Sequence, residues 1–274
     1  MIKLKTFGSF TVGNGLTSVQ EGAWRSEKLE KLFVYLAMNR NRGVCIEDIS
    51  EAIWQVEEET DNPVGALKNL AYRLRKALRD ASFGEECIVS VRGGLYKWND
   101  DVEVTIDVEE FDRYINEAEM AFCRSKETAI ESYEKAIALY YGDFLPLRTD
   151  THWFMTLNAF YHSRYVNTVK ALAKLYIDTG CYEKLEQLCT RAIVYERSDE
   201  QIYSYLIVAR MRTKKVQMAF DTYETAKAIM DKDLGVRKTV MLNKVYEELL
   251  SVTKGASSYN IDEVKDDISE ESMN

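Results

Sequence analysis

Proline is scarce in this chain, and that scarcity constrains the fold more than any other feature of the sequence. Only two prolines and 13 glycines occur in 274 residues, of which 46% are hydrophobic. Because proline and glycine punctuate the short strands of all-β folds, sandwiches and barrels are disfavoured and a mainly α fold is expected. The hydrophobic content is also too high for a chain that is disordered throughout.

The first hundred residues predict a small hairpin, three helices and a second hairpin. Apolar residues alternate over residues 2–12, which is typical of a half-buried hairpin. Helical spacing then predicts three helices, which run from residue 26 to about 39–43, from 46 to 54, and from about 63 to 79. Asn62 and Pro63 are suited to cap and start the third helix. Two apolar runs around a Gly-Gly pair predict a wing hairpin at about 88–98. This order is that of a winged helix-turn-helix.

The third helix is predicted to bind double-stranded DNA. Residues 62–99 hold seven Lys and Arg against three Asp and Glu, in a chain whose net charge is −9. With about 100° per residue, the centre of the exposed face holds three residues expected to contact bases, which are Asn69, Tyr72 and Lys76. The flanks and the wing hold the residues expected to contact phosphates, which are Lys68, Arg73, Arg75, Arg79 and Arg92. A basic face on an isolated helix is also typical of a solvated surface, and it is the winged-helix order that favours DNA.

An internal repeat marks the rest of the chain as an all-α domain that resembles tetratricopeptide repeats. Three triplets share a spacing of four and then three residues, and these are Ala129, Tyr133 and Ala136; Leu185, Cys189 and Ala192; Ala219, Tyr223 and Ala226. The second and third lie 34 residues apart, which is the tetratricopeptide period. The first lies 56 residues before the second, so an insertion with a long helix around 153–177 is expected between them.

No catalytic residue, metal site or cofactor is predicted. The only histidines, His152 and His162, lie ten residues apart in one predicted helix and form no known ligand pair, and no glycine-rich nucleotide motif occurs. Five cysteines without a C-x-x-C pair are expected to be free and buried. The chain has no long apolar run and no signal peptide pattern, so we expect a cytoplasmic protein without membrane contact.

Several separated motifs resemble one family of regulators. The segments RSEK (25–28), EDI (47–49) and ALKNLAYRLRKAL (66–78) are similar to the OmpR-type winged-helix domain of SARP/AfsR-type regulators. The segments YYGDFL (140–145), GCYE (180–183), DLGV (233–236) and YEELL (246–250) are similar to their bacterial transcriptional activator domain. The resemblance covers roughly residues 1–250, and the wing departs from the usual family pattern in reading RGGLY.

The resemblance and the residue patterns together imply three segments. Residues 1–104 are expected to be the DNA-binding domain, 105–250 the activator domain, and 251–274 an acidic, disordered tail. The expected function is sequence-specific binding of promoter DNA by an activator. RNA polymerase is an expected partner, and a homodimer on DNA is implied by the resemblance. A ligand of the repeat domain, whether a small molecule or a peptide, is left undetermined. The alternative is an adaptor whose helical groove binds a peptide and whose winged helix contacts protein.

Overall fold

Alternating apolar side chains build a small sheet at the N-terminus. The computed structural model describes residues 1–55, 62–83, 87–91, 94–148, 150–234 and 240–251. Its strands are β1 (Ile2–Lys5), β2 (Thr11–Gly13), β3 (Ser18–Gln20), β4 (Ile88–Val91), β5 (Leu95–Trp98) and β6 (Val104–Ile106). Four of them form a sheet of order β3-β2-β1-β6, and β4 and β5 form a separate hairpin.

Both predicted hairpins are present, but the sheet is larger than the sequence indicated. β1 and β2 are antiparallel, as expected. β3 extends this meander, and β6 lies parallel to β1 with Ile2 opposite Val104. The sequence analysis missed β3 and β6, because each has only three residues and too short an alternation to stand out.

Helices make up most of the described chain, as the scarcity of proline predicted. They are α1 (Glu27–Met38), α2 (Ile46–Ile53), α3 (Pro63–Asp80), α4 (Asp107–Ala121), α5 (Lys126–Leu139), α6 (His152–Thr179), α7 (Tyr182–Tyr195), α8 (Glu200–Arg212) and α9 (Val216–Ile229). A π-helical turn, Met230–Leu234, follows α9, and residues 240–251 are helical. Among the described residues, no helix is both long enough and apolar enough to cross a membrane.

The helix α1 is buried on all sides over most of its length. Every residue from Leu29 to Ala37 is buried, including the charged neighbours Glu30 and Lys31, each only 2% exposed. The reason is that Arg148, Asp150 and Phe154, far along the chain, contact Glu30 and Lys31.

The chain forms two compact units, Met1–Tyr165 and the residues from Val166 onward. The first holds the sheet, the winged helix-turn-helix formed by α1 to α3 with the β4–β5 hairpin, and also α4 and α5. The domain boundary at residue 104 therefore stays a prediction, because it lies inside the first unit and within β6. The acidic tail beyond residue 251 lies outside the described residues.

All three repeated triplets lie at buried positions on helices that end a helical pair. They fall on α5, α7 and α9, and every one of their side chains is buried. Gly180, between α6 and α7, has φ of +71°, and Lys214, 34 residues later between α8 and α9, has φ of +61°. The same left-handed turn thus recurs at the repeat period, which confirms a helical repeat that resembles tetratricopeptides.

The cysteines are more varied than the sequence indicated. All five are free, but only Cys87 and Cys189 are buried, while Cys123 is exposed. Burial raises the pKa of the Cys87 thiol to about 11.

Candidate nucleic-acid interface

The helix α3 begins where the sequence predicted. The side-chain oxygen of Asn62 accepts a hydrogen bond from the backbone N–H of Gly65 at 2.9 Å, and Pro63 occupies the first turn. An Asx cap followed by proline satisfies or removes the amides that a helix start leaves without partners. This cap sets the register, and hence the faces, of the 18 residues that follow.

One face of α3 packs into the protein and sets which side is presented outward. Its buried residues are Leu67, Leu70, Ala71, Leu74 and Leu78. This stripe packs against α1 and α2. A helix held along one stripe over about three turns has little freedom to rotate about its axis. The direction of the outer side chains is therefore fixed by packing.

The outer face carries the predicted base-contact residues. Asn69, Tyr72 and Lys76 are all exposed, and Tyr72 keeps 63% of its surface in solvent. Within the described part of the chain, no hydrogen bond or ion pair ties down these three side chains. Whether they touch bases stays a prediction.

The predicted phosphate-contact residues differ in their surroundings. Lys68, Arg73 and Arg79 are exposed along the edges of the same face. Arg75 is half-buried, and its Nε donates to the carbonyl oxygen of Ile88 in β4 at 3.1 Å. Arg75 thus joins α3 to the hairpin. Its phosphate contact stays a prediction, and Arg92 lies outside the described residues.

The hairpin is held against the helices by backbone pairing. Val44, in the connection between α1 and α2, forms two hydrogen bonds with Tyr96 of β5, with N···O distances of 2.8 and 2.9 Å. Tyr96 and Trp98 are buried. Burial raises the pKa of the Tyr96 hydroxyl, an effect that the nearby Arg75 partly offsets. The hairpin is therefore a rigid extension of the helical core.

A turn that the sequence analysis did not single out is fixed beside the C-terminal end of α3. In the β2–β3 turn, Asn14 donates from Nδ2 to the carbonyl of Ser82 at 3.1 Å, and Thr17 donates from Oγ1 to that of Ala81 at 3.0 Å. Leu16, at the tip, is 93% exposed. The side chain of Asn14 also accepts from the amides of Leu16 and Thr17, as Asx turns do. The N-G dipeptide at 14–15 was the available signal.

The two histidines lie apart from this interface. Nδ1 of His162 lies 2.7 Å from a carboxylate oxygen of Asp143. His152 is exposed at the start of α6. Among the described residues, no group of three or more His, Cys, Asp or Glu side chains is placed to hold a metal ion.

Comparison with known proteins identifies the C-terminal part of the chain. The model of the family described as bacterial transcriptional activator domain matches residues 106–250, more than half of the chain. The chain belongs to the bacterial transcriptional activator domain family. It is 23% identical over 238 residues to the transcriptional regulator RedD of Streptomyces coelicolor, covering 86% of this chain and 67% of RedD.

A solved structure shows the same fold over nearly the whole chain. EmbR of Mycobacterium tuberculosis, solved in complex with a low-affinity phosphopeptide, superposes with a TM-score of 0.69 at 19% identity. The match covers 95% of this chain and 70% of that one. The two proteins therefore share a fold over this length.

The bacterial transcriptional activator domain is bonded to the N-terminal sheet at its first helical residue. The carboxylate of Asp107 accepts from the backbone amides of Thr6 and Phe7 at 2.8–3.0 Å and from the Thr6 hydroxyl at 2.6 Å. It also accepts from the amide of Val108 at the start of α4. The family domain thus begins as part of the first compact unit.

Proposed function

We propose that this protein is a sequence-specific DNA-binding transcriptional regulator, and that it acts as an activator at promoters. In this proposal the N-terminal domain is of the OmpR type, α3 lies in the major groove, and the β4–β5 hairpin approaches the DNA backbone as a wing. Such a role places the protein in the cytoplasm.

The outer face of α3 carries this proposal. An amide, a phenol and an amine occupy its centre, and cationic side chains occupy its edges. Amides and amines pair with purine edges in the major groove, and cations neutralise phosphates. Because the inner face of the helix is packed on α1 and α2, the outer face is presented as one rigid surface.

Membership of the activator domain family supports the remaining part of the proposal. We infer that the helical repeat contacts RNA polymerase, and that two copies of the chain bind adjacent DNA sites. Repeat domains of this kind offer extended surfaces for other proteins.

A selection experiment tests the proposal. The purified chain is used to select duplexes from a randomised library, and binding to the selected duplex and to a random duplex is measured by fluorescence anisotropy at two salt concentrations. We expect an enriched motif, tighter binding to the selected duplex, and affinities that fall with salt because neutralised phosphates release counterions.

Two results would reject the proposal. Failure to enrich any motif, together with no salt-dependent binding to random DNA, excludes a DNA-binding role. If the chain instead captures peptides while ignoring DNA, the adaptor function takes its place.

A further inference from the structure

A short segment of the activator domain grips the helices that support α3. We call Arg148, Asp150 and Thr151 the clasp. The clasp lies between α5 and α6, and Thr151 directly precedes the first residue of α6. Its partners described below belong to α1 and α2, apart from Glu21, which precedes α1, and Gln55, which follows α2.

The clasp pairs with two buried charges of α1. Arg148 forms a salt bridge with Glu30, and its Nη2 lies 3.3 Å from Glu21. Lys31 forms a salt bridge with Asp150. Glu30 and Lys31 are each 2% exposed. Lys31 also lies 3.6 Å from Glu27 of its own helix. Because a buried charge that loses a partner destabilises the fold, the placement of α1 in which both buried charges meet the clasp is favoured.

The clasp also holds the end of α2. The Thr151 hydroxyl donates to the carbonyl oxygen of Ala52 at 2.8 Å, in a buried hydrogen bond. The side-chain amide of Gln55 donates to the second carboxylate oxygen of Asp150 at 2.9 Å. Asp150 therefore bridges α1 and the chain leaving α2.

Polar contacts of this kind specify geometry more than they add stability. Buried ion pairs contribute little net free energy compared with apolar packing of the same volume, but they tolerate few alternative arrangements. An apolar contact would hold α1 more loosely in orientation. The clasp is therefore suited to fix the orientation of α1.

We propose that the clasp positions α1 and α2 so that α3 presents its outer face correctly, and that tight DNA binding depends on it. This inference rests on the proposed function. Since α1 and α2 both pack against α3, a change in their orientation is transmitted to the recognition helix. Arg148, Asp150 and Thr151 are positioning residues, and none of them is assigned a contact with DNA.

Two conservative variants test the inference in the full chain. Asp150→Asn keeps the shape of the side chain and removes the charge opposite Lys31. Thr151→Val keeps the shape and removes the hydrogen bond to Ala52. We expect each to raise Kd for the duplex selected by the wild-type chain by about 3- to 30-fold, with an unchanged salt slope because no phosphate contact is lost.

The controls separate positioning from loss of stability. Asp112→Asn removes an ion pair with Arg164 at 2.5 Å, and the two carboxylates are matched in exposure, at 31% for Asp112 and 30% for Asp150. Because Asp112 and Arg164 lie on α4 and α6, away from the clasp and its partners, we expect Kd to stay within twofold. Thr151→Ser restores the hydroxyl and should restore affinity. Stoichiometric titration gives the active fraction, so that partial unfolding is not read as a change in Kd.

The outcomes distinguish this inference from the proposed function. If the wild-type chain binds no DNA, the proposed function fails. If it binds, and Asp150→Asn and Thr151→Val bind as tightly as the wild type, the clasp inference alone is wrong. An equal loss of affinity in Asp112→Asn also overturns the clasp inference, because the rise in Kd would then be explained by a general loss of protein stability. Should one clasp variant fail to fold, the other decides.

Discussion

Neighbouring side chains on α3 are expected to contact different parts of the DNA. Asn69 lies at the centre of the exposed face and Lys68 at its edge, one residue apart. An amide that pairs with an adenine edge discriminates between bases, while an amine on a phosphate attracts every sequence equally. These two side chains therefore separate sequence reading from electrostatic attraction.

We expect Asn69→Ala to weaken binding to the selected duplex by about 1–3 kcal/mol and to leave binding to random DNA nearly unchanged. Lys68→Ala should weaken binding to both duplexes by similar factors and reduce the salt slope by about one. Anisotropy titrations at several salt concentrations measure both quantities. Circular dichroism confirms that each variant is folded.

Equal effects of the two variants on both duplexes would contradict base reading by Asn69. The helix would then be an electrostatic anchor, and specificity would have to come from elsewhere in the protein.

Gly8 is a position where any side chain meets backbone. Its φ is +79°, and an added Cβ would lie 2.6 Å from the carbonyl oxygen of Tyr141. We expect Gly8→Ala to lower the free energy of unfolding by about 1–3 kcal/mol more than Gly15→Ala does. Gly15 is a matched control because its φ is +88° but nothing lies within 4 Å of an added Cβ. Urea denaturation measures both changes in the free energy of unfolding. Equal losses would mean that the backbone at Tyr141 moves away from the new side chain without a loss of stability.

At the scale of elements, Asp143 joins the segment after α5 to α6. Its carboxylate accepts a hydrogen bond from Tyr140 at 2.5 Å and lies 2.7 Å from His162, and its backbone carbonyl accepts from the amide of Gly8. The hydrogen bond with His162, supported by that from Tyr140, holds the pKa of Asp143 below its usual value despite partial burial.

This shift predicts an acid-dependent contribution to stability. A carboxyl whose pKa is lower in the folded state stabilises the fold above its unfolded pKa, about 3.9, and loses that effect as pH falls through the folded value. We expect Asp143→Asn to lower Tm near neutral pH, and the difference from wild type to shrink below about pH 4. Asp101→Asn, at an exposed residue of the turn after β5, should follow the wild-type curve at every pH. A Tm difference that stays constant into acid would contradict the assignment.

The elements predicted best are those whose signals are local. The cap at Asn62 and Pro63, the apolar stripe of α3 and the repeated triplets each depend on residues within a few turns of one another. The burial of Glu30 and Lys31 on α1 was not predicted, because Arg148 and Asp150, which pair with them, lie more than a hundred residues away. β6, besides being only three residues long, pairs with the distant strand β1. Spacing patterns carry no information about such distant contacts.

At the scale of the whole molecule, the proposed domain boundary and the compact unit differ. A fragment of residues 1–104 ends within β6, so it lacks the residues opposite Lys3 and Leu4, together with Asp107 and the clasp. We expect this fragment to melt at lower temperature and with less cooperativity than residues 1–165. Thermal melts followed by circular dichroism compare the two. Equal melting temperatures and cooperativity would show that residues 1–104 fold as an independent domain.

The segment that follows β1, residues 6–8, has a consequence for how the protein folds while it is synthesised. Thr6 and Gly8 pair with Leu145 and Asp143, and Phe7 packs against Phe111, Tyr140 and Tyr161. On a bacterial ribosome, the interval between making these two regions is roughly 7–30 s at about 5–20 residues per second. At the same rate, Phe111 is made roughly 5–20 s after Phe7, and until then Phe7 has none of these three aromatic neighbours. During that time Phe7 is an exposed aromatic side chain of the kind that makes incompletely folded chains prone to aggregate.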